Sequence, residues 1–138
     1  MRTPLCEVLG IEHSVIVAPM FLVSNVEMVV AAAECGATGA FPALNYRTDE
    51  ELRAAIAEIK SRTDKPFGVN LIVNKSNPKY RKQLDTLTEL GVHYIITSLG
   101  SPEETIRRCK PKGIKVFCDV VDEVYAEKVE GLGADAVI

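Results

Sequence analysis

The chain alternates two kinds of segment from beginning to end, and that alternation limits the fold more than anything else in it. The first kind is a short run of apolar, often β-branched residues. Six such runs are present: SVIVAPM (14–20), TGAFPAL (38–44), FGVNLIV (67–73), YIITSL (94–99), KVFCDVV (115–121) and DAVI (135–138). Runs of this length without polar alternation suit strands covered on both faces. The second kind has helical periodicity. In TDEELRAAIAEIKSR (48–62), Leu52, Ile56 and Ile59 share one face, while Glu50, Arg53 and Lys60 fall elsewhere. Strand centres recur about every 20 to 30 residues, the length of a βα unit.

Start and stop signals agree with this grammar. Ser24 with Glu27, Thr48 with Glu51, and Ser101 with Glu104 have the spacing of capping boxes. Asn77-Pro78 and Ser101-Pro102 predict Pro at a first helical position. Gly36 and Gly91 follow periodic segments as C-terminal caps, and Lys65-Pro66 and Lys110-Pro111 break helices. Sequential parallel strands joined by helices give either an open, flavodoxin-like sheet or part of a (β/α)8 barrel. A full barrel needs about 250 residues. On the barrel reading, residues 1–138 hold its N-terminal part, about five βα units plus a sixth strand. Periodicity alone leaves both folds open.

Composition narrows the function classes. Apolar residues make up 47% of the 138 and charged residues 25%, as in an ordinary globular chain. Sixteen Lys and Arg against nineteen Asp and Glu leave no basic excess, which points away from a nucleic-acid partner. The apolar run 15–23 is too short for a membrane span and lacks the basic leader of a signal peptide. Cys6, Cys35, Cys109 and Cys118 form no CxxC, and with only two histidines no zinc pattern arises. Free thiols in a reducing cytoplasm are the expectation. Phosphate-binding motifs of the GxGxxG and GxxxxGK[ST] types are absent.

In both candidate folds function gathers at the carboxyl ends of the strands. Those ends carry Ala18-Pro19-Met20, Pro42-Ala43-Leu44-Asn45, Asn70, Thr97-Ser98 followed by Gly100, and Asp119. Asn70 stands out because an amide inside FGVNLIV costs desolvation unless it is hydrogen-bonded. It either ties neighbouring loops together or aims a donor and an acceptor at a polar heterocycle or phosphate. Pro19 reads as a strand terminator, Asp119 as a loop carboxylate, and Cys118 as a small buried thiol rather than a nucleophile. His13 and His93 precede strands, on the side opposite the expected site, and read as surface or packing residues. The residues show no complete catalytic constellation and no metal cluster.

MRTPLCEVLGIEHSVIVAPM (1–20), AAAECGATGAF (31–41), KPFGVNLIV (65–73) and GIKVFCDVVDEVYAEKVEGLGADAVI (113–138) resemble, in order and spacing, the nitronate monooxygenase (2-nitropropane dioxygenase) family. That family also contains flavin-dependent enoyl-acyl-carrier-protein reductases. The resemblance covers essentially the whole chain and implies an FMN-binding TIM barrel. It implies that Ala18, Pro19 and Met20 lie against the flavin and that Asn70 contacts FMN. Ser98 and Asp119 occupy strand ends facing the same site, without a role carried over. In the family, GADAV is followed by a glycine-rich segment ending in GGH, whose His is the usual base, and later loops hold the FMN phosphate. The expectation is therefore the N-terminal part of such an enzyme, with no catalytic residue of its own and open strand edges that promote self-association. The implied chemistry is oxidation of nitronates or nitroalkanes with oxygen. Reduction of an enoyl thioester by NAD(P)H is the alternative within the family, and a non-enzymatic flavodoxin-like binding module the alternative outside it.

Overall fold

The computed structural model describes residues 3–138, so Met1 and Arg2, which open the first family-like phrase, lie outside it. The strands follow one another in the sheet in the order β1-β2-β3-β4-β5-β6. Each registered pair, β1 with β2, β4 with β5 and β5 with β6, is parallel. Sequence order throughout rejects the 2-1-3-4-5 order of an open flavodoxin-like sheet. The chain divides into two compact units, with the boundary between Val69 and Asn70.

The first unit begins with a helix that the periodicity did not announce, α1 (Pro4–Leu9). It is only one and a half turns long, too short for a repeating apolar face, and its ends define it. Thr3 accepts a hydrogen bond from the Cys6 amide, and Gly10 closes the other end at φ 70°. There follow β1 (Ile16–Val17), α2 (Val26–Glu34), β2 (Thr38–Pro42), a 3₁₀ turn (Ala43–Asn45) and α3 (Asp49–Arg62). All five β2 residues are buried, as a doubly covered strand requires, whereas β1 is half-buried. Gly39 permits close approach of α2, since a Cβ there would lie 3.0 Å from Val29 Cα. Leu52, Ile56 and Ile59 pack inward as their spacing predicts. The Thr48–Glu51 capping box is complete in both directions.

The second unit takes up β3 (Gly68–Ile72) from Asn70 onward. It continues with α4 (Tyr80–Leu90), β4 (Tyr94–Ser98), α5 (Glu103–Cys109), β5 (Lys115–Cys118), α6 (Glu123–Gly131) and β6 (Ala136–Val137). Its core is built on Leu84, Leu87, Ile95, Ile96 and Val116, with the Tyr94 and Phe117 rings stacked 5.2 Å apart. Asp122 caps α6 by accepting from the Tyr125 amide at 2.7 Å. Gly91 ends α4 at φ 67°.

Several predicted helix starts differ. Asn25, not Ser24, caps α2. The Ser101–Glu104 box does not form, and Pro102 stands at the N-cap of α5 without a side-chain cap. Pro78 precedes α4, which starts at Tyr80, because Asn77 is drawn away to Ile72 and Gln83. At Ser24 the hydroxyl, and at Asn77 the amide nitrogen, found partners away from the helix end. Among the described residues no helix is long and apolar enough to cross a membrane.

Candidate functional site

In the first unit, the residues after β1 form a turn (18–24) that closes on itself. The Ser24 hydroxyl donates to the Ala18 carbonyl at 2.5 Å and accepts from the Met20 amide at 2.9 Å. That use of the hydroxyl is why Ser24 does not cap α2. Asn45, at the end of the 3₁₀ turn following β2, clamps the same loop. Its Nδ2 donates to the Ser24 carbonyl and its Oδ1 accepts from the Leu22 amide, both at 2.8 Å. Leu22 is held at φ 57°, a left-handed conformation that a leucine adopts at a cost of about 1–2 kcal/mol. With its polar groups tied inward, the turn presents apolar side chains: Met20, Phe21, Leu22 and Val23 are 42% to 70% exposed. Of the predicted site residues, Ala18, Pro19 and Met20 all belong to this turn.

The second unit carries a polar line across the ends of β3, β4 and β5. Asn70 Nδ2 donates to the Ile96 carbonyl at 3.1 Å and to the Ser98 hydroxyl at 2.8 Å. Ser98 in turn donates to the Asp119 carboxylate. Asn70 and Ser98 are half-buried and Asp119 is exposed. Beyond Ser98, Leu99 is held at φ 61° and Gly100 at φ 154°. A Cβ at Gly100 would lie 3.1 Å from the Asn74 backbone, so only glycine fits. The Tyr125 hydroxyl donates to the Gly100 carbonyl at 2.6 Å and fixes the loop.

Other candidates are not drawn into these clusters. Cys118 is buried, and burial pushes its thiol above the usual range, against only a partly offsetting hydrogen bond from Thr97; this disfavours the thiolate a nucleophile needs. His13 lies three residues before β1, and His93 immediately before β4. Sequence reasoning gave Ser24 only a helix-capping role, placed Asn45 only at a strand end, and did not mark Tyr125. Asn45 did carry a signal, an amide closing an apolar strand like Asn70, whereas Ser24 was masked by its helix-start pattern.

The two clusters differ in what they leave free. The 18–24 turn has spent the Ala18 carbonyl and the Met20 amide internally and offers an apolar surface. At Asn70 both donors are engaged and the amide oxygen has no partner among the described residues. The first cluster offers an apolar surface and the second a hydrogen-bond acceptor. They supply no cation for a phosphate.

The family model of nitronate monooxygenase matches residues 2–89. The chain belongs to the nitronate monooxygenase family. It is 36% identical over its whole length to the (3aS,4S,5R,7aS)-5-hydroxy-7a-methyl-1-oxo-octahydro-1H-indene-4-carboxyl-CoA dehydrogenase of Mycobacterium tuberculosis, covering 38% of that protein. It is 28% identical to the nitronate monooxygenase of Pseudomonas aeruginosa, over 94% of this chain and 47% of that one. FabK from Thermotoga maritima superposes with a TM-score of 0.92 at 33% identity, over 99% of this chain and 43% of that one. The chain thus spans less than half the length of each of these relatives, and its fold is the N-terminal part of their (β/α) barrel.

Proposed function

We propose that the intact protein is an FMN-dependent oxidoreductase, and that this chain contributes residues that hold the ring of the cofactor. The oxygen of Asn70, uncommitted among the described residues and borne on the parallel strand β3, carries the reading. Ala18, Pro19 and Met20 would offer the ring an apolar, prearranged turn, and Asn70 a hydrogen-bond acceptor. FMN when bound supplies the capacity to accept an electron pair from substrate and pass it on. The protein's contribution here is orientation and exclusion of water; the general base and the phosphate loops are expected from the rest of a complete barrel. As substrate we propose a nitronate or nitroalkane with oxygen as final acceptor. A second reading, an acyl thioester substrate, is favoured by the 36% identity to a carboxyl-CoA dehydrogenase. The reductase alternative with NAD(P)H uses the same thioester chemistry in the opposite direction.

The test is purification of the full-length protein with its cofactor. We expect a flavin absorbance spectrum, with bleaching by a nitronate under anaerobic conditions and oxygen uptake in air. Bleaching by an acyl-CoA and not by a nitronate would select the thioester reading. A protein that neither retains nor binds added FMN would overturn both.

A further inference from the structure

We infer that Ser98 and Asp119 are positioning residues that lock the Asn70 amide in one orientation, so that this strand end accepts only a hydrogen-bond donor from its ligand. The inference rests on the flavin reading for the identity of the ligand, but not for the lock itself.

The direction of every bond follows from the chemistry of its ends. The Ile96 carbonyl can only accept, so the Asn70 atom 3.1 Å from it must be the nitrogen; a flipped amide would set oxygen against oxygen. The Asp119 carboxylate, when ionised, can only accept, so Ser98 must spend its single proton there. The Ser98 oxygen therefore meets Asn70 as an acceptor, at 2.8 Å, and takes the second amide proton. Both Asn70 donors are consumed and only Oδ1 remains. A charged acceptor at the end of the line draws each proton along it, which polarises the amide and strengthens its oxygen as an acceptor. The oxidised flavin ring carries a single N–H, on its pyrimidine edge, and the ribityl chain carries hydroxyls; both are donors of the kind this position takes. A ligand carbonyl placed here would meet a second oxygen and be rejected.

Two measurements on the full-length protein test this. In the ligand-free state, with asparagine side chains labelled with nitrogen-15, the two Asn70 amide protons should give well-separated, exchange-protected signals. Ser98→Ala should move one of them towards its free-amide position and speed the exchange of both, and Ser98→Thr, which keeps the hydroxyl, should restore them. Asp119→Ala, a surface change compatible with folding should Ser98→Ala not be, should broaden them by freeing the Ser98 proton. Unprotected signals at free-amide positions in the unaltered protein would overturn the lock, whatever the ligand. The second measurement is an FMN titration followed by flavin fluorescence. Ser98→Ala should weaken binding about tenfold in the native background and less than about twofold when Asn70 is already alanine, since residues acting through one another are non-additive. Equal losses in the two backgrounds would overturn the positioning role. No FMN binding at all would sink the flavin reading instead, leaving the lock to be judged on the amide signals alone.

Discussion

Asn45, in the turn after β2, and Asn70, in the middle of β3, are both half-buried amides, one in each unit, and the structure uses them in opposite ways. Asn45 gives its nitrogen to Ser24 and its oxygen to Leu22, so it is saturated within the protein. Asn70 gives its nitrogen to Ile96 and Ser98 and keeps its oxygen. The first is a clamp, the second a presented acceptor. What separates them is how many hydrogen-bonding atoms the fold consumes, not residue type or burial.

The sharpest way to break this contrast is to remove each side chain. Asn45→Ala strands the Leu22 amide and the Ser24 carbonyl and releases a strained turn. We expect a loss of about 2–3 kcal/mol in unfolding free energy, measured by urea denaturation. Asn70→Ala should cost less stability, because the half-exposed Ser98 can turn to water. It should weaken FMN binding by on the order of 1–3 kcal/mol in the full-length protein. Equal stability losses with no change in flavin affinity would erase the distinction between clamp and acceptor.

Much of this was legible in the sequence, and the illegible part has a definite physical cause. The βα alternation gave the parallel order of the strands, because continuous apolar runs such as TGAFPAL have only one comfortable place, inside a covered sheet. Asn70 could be flagged because an amide in such a run needs a partner. The identity of that partner could not be read, since Ile96 and Ser98 come from a strand 26 and 28 residues further on. Ser24 shows the converse failure. Its spacing to Glu27 satisfies a local rule, yet its hydroxyl closes the turn back to Ala18, which no local pattern encodes. The α1 helix was missed because one and a half turns carry no periodicity, only the caps at Thr3 and Gly10.

A contrast of intermediate size concerns the thiols. In the second unit Cys109 is sealed in the core, and burial pushes its pKa up to about 12 from an ordinary value of 9.0. Below pH 9 the thiol is neutral in folded and unfolded chains and contributes no pH dependence. As pH rises from 9 towards 12 the unfolded chain ionises and the folded one does not, so stability falls, by up to about 1.4 kcal/mol per pH unit. Urea midpoints measured from pH 8 to 10.5 should decline, and Cys109→Ala, though less stable at pH 8, should show a shallower decline above pH 9. A parallel decline in the variant would remove Cys109 as its source. In the first unit Cys35 is exposed, and it should react with a thiol reagent in the native state while Cys109 stays protected until unfolding.

The smallest effect separates two strained leucines. Leu22 and Leu99 stand at φ 57° and 61°, and their side chains are 70% and 67% exposed, so replacing either with glycine loses little burial. The left-handed conformation costs a leucine about 1–2 kcal/mol, and glycine surrenders about 0.5–1 kcal/mol in added freedom of the unfolded chain. Each substitution should therefore stabilise by roughly 0.5–1 kcal/mol. The two should then part company. The Leu22 amide is pinned by Asn45, so in an Asn45→Ala background the native leucine can relax and Leu22→Gly should gain almost nothing. Leu99 precedes a glycine fixed by Tyr125, has no link to Asn45, and should gain the same amount in either background. Four unfolding curves for each leucine decide it: additivity at Leu22 would show that Asn45 does not impose the strain, and the clamp would reduce to a pair of ordinary hydrogen bonds.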